Sequence, residues 1–88
     1  MLGEHIIQQS TILRGQGRYL EAMACIEKNI GLISQFLHAT AWQEACYAAE
    51  ALDDAERCAY YQSRVRALNQ IHPFHRPLIE TAVWYRTV

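Results

Sequence analysis

Residues 41–68, AWQEACYAAEALDDAERCAYYQSRVRAL, read as two amphipathic helices folded back on each other at Leu52, Asp53 and Asp54. Trp42, Ala45, Cys46, Ala49 and Leu52 recur at helical spacing before the turn, and Ala55, Cys58, Tyr61, Val65 and Leu68 recur after it. Asp53 is placed to cap the second helix, with Glu56 three residues later returning the contact as a capping box does.

Outward from this hairpin the pattern stays helical. Short β-branched runs such as Ile6-Ile7 sit within stretches of helical period, and good helix formers fill most of the rest. The spacing predicts a first helix over residues 2–13, a turn at Gly15-Gln16-Gly17 with both glycines free to take positive φ, and a second helix over 19–33. His72-Pro73 and Arg76-Pro77 stop the fourth helix, and a fifth is expected over about 77–87 with Pro77 as its first residue.

A chain of 88 residues allows one domain, spanning 1–88, and a core of modest size. A hydrophobic share of 51% with no low-complexity tract is that of a folded chain. Eight basic against nine acidic residues remove any general attraction to nucleic acid or to acidic membranes. The opening MLGEHIIQQS has neither a basic region nor an unbroken apolar run, and no stretch approaches ~20 apolar residues, so a cytoplasmic protein with no membrane span is expected. Cys25, Cys46 and Cys58 form no C-x-x-C pair and are expected to be reduced, small buried hydrophobes, with no metal and no cofactor.

The chain also repeats. Residues 6–22 superpose on 42–58 at a shift of 36, with Ser10 on Cys46, Leu13 on Ala49, Gly17 on Asp53 and Ala22 on Cys58, and the same shift then sets Ile26 on Gln62. Small residues land where two helices would approach closely, and turn formers land on turn formers. The run Gly17-Arg18-Tyr19-Leu20-Glu21-Ala22, and Trp42 with Cys46, Asp54, Cys58 and Val65, resemble the tetratricopeptide repeat family, whose unit is a helix–turn–helix of about 34 residues. The resemblance covers two units, about 4–36 and 39–71, followed by the C-terminal helix. It implies an all-α, superhelical array of α-α hairpins with a C-terminal capping helix. Departures are the two extra residues, expected near 31–37, the missing closing prolines, Asp53 at the turn glycine, and Gln62 at a large apolar position. A plain helical bundle is the alternative fold.

In that family the first helices of successive units line a groove. The resemblance therefore implies a binding face from Thr40, Gln43, Tyr47 and Glu50 on the third helix and from Glu4, Ile7, Thr11 and Arg14 on the first, with Arg76, Ile79, Val83 and Arg86 added by the fifth. Tyr and Arg suit an extended or helical peptide. The C-terminal stretch is more apolar than a lone capping helix needs. Ile79, Val83, Trp84 and Tyr85 are accordingly candidates for a self-association or partner face, as in a homodimer. The expected function is a non-enzymatic protein-interaction scaffold that binds a protein or peptide and no nucleic acid. The alternatives are a small chaperone resembling tetratricopeptide-like secretion chaperones and, less favoured, a thiol- or metal-dependent enzyme. His72 and His75 lack a nearby third ligand, His38 and Cys46 are eight residues apart, and Glu44, Glu50, Asp53 and Asp54 are read as solvated or capping groups.

Overall fold

The computed structural model describes residues 2–71. Its helices are α1 Glu4–Gly15, α2 Tyr19–Asn29, α3 His38–Ala51 and α4 Ala55–Ile71, with 3-10 turns at Ile30–Leu32 and Gln35–Leu37 between α2 and α3. No strand occurs among the described residues, so the fold is all-α there. No helix among them is long and apolar enough to cross a membrane. The fifth helix expected over 77–87, with Ile79, Val83, Trp84 and Tyr85, lies outside the described residues.

α1 packs on α2 and α3 on α4 as hairpins, α2 lies against α3, and α1 touches α3 over a shorter length. α3 is thus the central helix. Its Ala41, Ala45, Cys46, Ala48 and Ala49 are fully buried, and Ile6, Met23, Ile26, Trp42 and Tyr61 supply the bulk around them. Leu52, expected on the buried stripe, is exposed because it stands at the C-cap of α3.

The helix limits differ from the periodicity at both ends of the first hairpin. α1 begins at Glu4 because Gly3 takes φ +97° and its carbonyl accepts Ile6 N at 3.0 Å. A Cβ on Gly3 would lie 2.7 Å from Ile33 Cα, and Ser34 N donates to Leu2 O at 2.8 Å, so the start of the chain is docked on the linker. α2 ends at Asn29 instead of reaching Ile33. The Asn29 amide bonds back to Cys25 O at 2.8 Å, the chain tightens into the first 3-10 turn, and Ile33 is extended at φ −98°, ψ 135°. The irregular segment falls where the two extra residues were expected.

The two interhelical turns repeat bond by bond at the 36-residue shift. Gly17 N donates to Arg14 O at 3.0 Å and Arg18 N to Leu13 O at 2.9 Å; Asp53 N donates to Glu50 O at 3.0 Å and Asp54 N to Ala49 O at 2.9 Å. This is the Schellman ending, which needs one left-handed residue. Gly17 meets that need at φ +78° and Asp53 at φ +59°.

The capping role of Asp53 and Glu56 is therefore corrected. Asp53 is the left-handed terminator of α3, and the cap of α4 is Asp54, whose Oδ1 accepts Arg57 N at 3.1 Å. Glu56 is one residue too early to close a capping box. Gly15 likewise is the last residue of α1, and Gly17 alone of the two bends the chain.

Asp53→Gly relieves a left-handed Asp and is expected to stabilise the protein by about 0.5–1 kcal/mol in urea unfolding, whereas Gly17→Ala is expected to cost about 1–2 kcal/mol. Equal effects of one sign at both positions would contradict the shared turn geometry.

Candidate functional site

Three side-chain groupings stand out: one joins α1 to α3, and two join α3 to α4, of which one also reaches α2 through Tyr61. Between α1 and α3, Arg14 Nε donates to Glu44 Oε1 at 2.6 Å, and the guanidinium lies 5.3 Å from the centre of the Tyr47 ring. Glu44 and Tyr47 are three residues apart, which puts both on the α1 side of α3. Glu44 is 9% exposed, not the solvated or capping group its sequence context suggests. Arg14 keeps 33% of its side chain exposed and Tyr47 is 41% exposed, so the pair forms a held but accessible plate.

The other groove candidates surround this plate unevenly. Thr40 is exposed and Gln43 half-buried, while Glu4 and Thr11 are exposed on α1. The Thr11 hydroxyl donates to Ile7 O in its own helix at 3.0 Å. Glu50 is also exposed, but its carboxylate faces two thiols at the α3/α4 crossing rather than Arg14. Arg14 and Tyr47 are brought together, and Glu50 is not brought to them.

Between α3, α4 and α2 sits an aromatic cluster. Trp42 stacks on Tyr61 with centroids 5.7 Å apart and meets Tyr60 edge-on at 6.1 Å, and Arg64 lies 5.8 Å from the Trp42 ring centre. The fully buried Tyr61 sends its hydroxyl to Glu27 Oε1 on α2 at 2.7 Å. Burial, then the bond to Glu27, pushes the Tyr61 phenol well above its ordinary value.

At the α3/α4 crossing, Cys46 Sγ and Cys58 Sγ are 3.4 Å apart. Glu50 Oε1 lies 3.7 Å from the first sulfur and 3.9 Å from the second. Burial, then the neighbouring Cys58 and Glu50, pushes the Cys46 thiol up to about 12. A cavity of about 180 Å³ lined by Glu50, Asp53, Asp54, Ala55 and Cys58 opens beside the pair. Sequence reasoning treated these cysteines singly; their placement at matched positions of two facing helices was the available signal. Cys25 is apart from them, with its thiol against Ile6 O at 3.7 Å, and the His38 ring is bonded to Ile33 O at 2.8 Å.

Comparison of the chain with protein-family models, with curated proteins and with solved structures finds no match.

Glu44→Ala is expected to cost about 1–2 kcal/mol in denaturant unfolding, less than for an enclosed pair because Arg14 can turn to water. Tyr61 adds a pH dependence: its phenol titrates at about 10.0 when unfolded and higher when folded. Above pH 10 the unfolded chain therefore holds fewer protons than the folded one, and stability falls as pH rises. Tyr61→Phe is expected to flatten that fall in unfolding curves taken from pH 9 upward, while lowering stability by about 1–2 kcal/mol at neutral pH.

Proposed function

We propose that the chain is a non-enzymatic protein-interaction module built of two tetratricopeptide-like hairpins, and that it binds a protein segment across the shared face of α1 and α3. The observation that carries this reading is the Arg14–Glu44–Tyr47 grouping, which holds an Arg and a Tyr side by side on adjacent first helices while leaving both accessible. Both residue types dominate binding energy at protein interfaces. The repeated Schellman turns and the small residues at both hairpin crossings support the tetratricopeptide-like part of the reading. Thr40, Gln43 and Thr11 make the surroundings polar, which favours peptide recognition over the shielding of apolar clients expected of a chaperone.

The occupant is an extended segment that lays an apolar side chain on Tyr47 and an acidic group near the outer edge of Arg14. Peptides selected from a displayed library against the full chain supply the probe. Tyr47→Ala is expected to weaken the selected peptides about 10-fold or more, and Leu20→Ser, on the exposed side of α2, to leave them unchanged. Peptides insensitive to Tyr47→Ala, or lost with Leu20→Ser, would overturn the reading. Self-association through Trp84 and Tyr85 is a separate proposal. Light scattering of the intact chain and of the Trp84→Ala/Tyr85→Ala variant is expected to give a dimer and a folded monomer; a monomer in both cases would remove it.

A further inference from the structure

The two hairpin crossings share a backbone and differ in chemistry. In the first, Ser10 Oγ donates to Ala22 O at 2.9 Å; at the 36-residue shift Cys46 Sγ faces Cys58 O at 3.9 Å. Arg14, one turn after Ser10, is replaced by Glu50, one turn after Cys46. The set Ser10, Arg14, Ala22 thus becomes Cys46, Glu50, Cys58, and three positions that could hold no cation become three donors at once.

Their spacing has a chemical meaning. Around a tetrahedral Zn2+, with bonds of ~2.3 Å to sulfur and ~2.0–2.2 Å to oxygen, two sulfurs stand ~3.8 Å apart and each stands ~3.6 Å from a carboxylate oxygen. Here the sulfur–sulfur distance is 3.4 Å and the two sulfur–oxygen distances are 3.7 and 3.9 Å. One face of the coordination tetrahedron is already laid out, each edge within about 0.4 Å of the length the metal requires.

We propose that Cys46, Cys58 and Glu50 form a binding site for a thiophilic divalent cation, Zn2+ foremost, whose fourth position opens into the cavity at the α3–α4 turn.

The two sulfurs select against Mg2+ and Ca2+, which take oxygen donors, and the tetrahedral spacing suits Zn2+. Cys46 is fully buried, Cys58 half-buried and Glu50 exposed, so the ion enters from the cavity and meets its most desolvated ligand last. Asp53 on the cavity wall adds negative charge beside the entrance, whereas Asp54 there is paired with Arg57 Nε at 3.6 Å, and the space accommodates a water as fourth ligand. Binding breaks the Sγ–H bonds of Cys46 and Cys58, releases two protons to the buffer and forms two S–Zn bonds, with no change of oxidation state. The buried position and negative neighbours that disfavour a lone Cys46 thiolate are offset by the cation. The ion links α3 to α4 and stabilises the second hairpin.

The test uses the full chain, reduced and freed of metal, titrated anaerobically with Co2+ and then Zn2+. Thiolate-to-cobalt charge-transfer absorption and the intense visible bands of tetrahedral Co2+ are expected, saturating at one equivalent and abolished by one equivalent of Zn2+. Cys58→Ala, half-buried and tolerant of truncation, is expected to abolish both signals while keeping the helical circular dichroism. Glu50→Gln is expected to weaken binding about 10-fold or more. Cys25→Ser serves as the control and is expected to bind as the parent does. Zn2+ should also raise the thermal midpoint of the parent and leave that of Cys58→Ala unmoved. Absence of the charge-transfer band in the folded parent, its persistence in Cys58→Ala, or its loss in Cys25→Ser would overturn the assignment.

Discussion

The structure depends on how closely the helices around α3 approach it. Five small residues of α3, Ala41, Ala45, Cys46, Ala48 and Ala49, have no exposed surface at all. Short side chains let three neighbouring helices contact one central helix, but they contribute little apolar area themselves. That area comes from a few large groups set around them, namely Ile6, Met23, Ile26, Trp42 and Tyr61. Each such group contributes about 1.5–3 kcal/mol when buried. In a chain of 88 residues few others are available to replace one, so the core tolerates little loss.

The same constraint explains why the hairpins agree in backbone and diverge in chemistry. A Schellman ending needs a left-handed residue and two carbonyl acceptors, all of them backbone features, so glycine and aspartate can both serve. The crossing one turn earlier needs only a small side chain. Ser10 fills it with a short bond to Ala22 O, whereas sulfur is larger and a weaker donor, and Cys46 stands farther from Cys58 O with Cys58 Sγ and Glu50 as additional neighbours. The fold dictates the close approach and leaves the side-chain chemistry at that point free.

This division also separates what could be read in the sequence from what could not. Helical periodicity, the turn positions and the small residues at the crossings are local or repeat-borne, and they locate the four described helices and, Leu52 apart, the buried stripe of α3. The exchange of roles between Asp53 and Asp54 turned on a single residue: the alignment of Gly17 with Asp53 already marked Asp53 as the left-handed position, which left Asp54 to cap. Glu44 reads as solvated in the sequence because its partner Arg14 is thirty residues away, and no short-range pattern carries that contact. Glu50 was misdirected by the angular drift of a helix. At about 100° per residue it stands about 60° around the axis from Tyr47 but only about 40° from Cys46, so its carboxylate serves the thiol side.

The crowding of α3 finally limits how a ligand could use it. With Ala41, Trp42, Glu44, Ala45, Cys46, Ala48 and Ala49 all buried, the helix has only a narrow open strip that includes Thr40, Gln43 and Tyr47. A strip one side chain wide cannot enclose a bound segment, and Tyr47 alone offers one ring. Arg14 changes this, because its bond to Glu44 fixes the guanidinium over that ring and joins the edge of α1 to the strip. The buried carboxylate of Glu44 thus makes a two-helix surface out of what either helix would present singly. Any segment bound there rests on the buried Glu44 carboxylate, which the ligand need not touch.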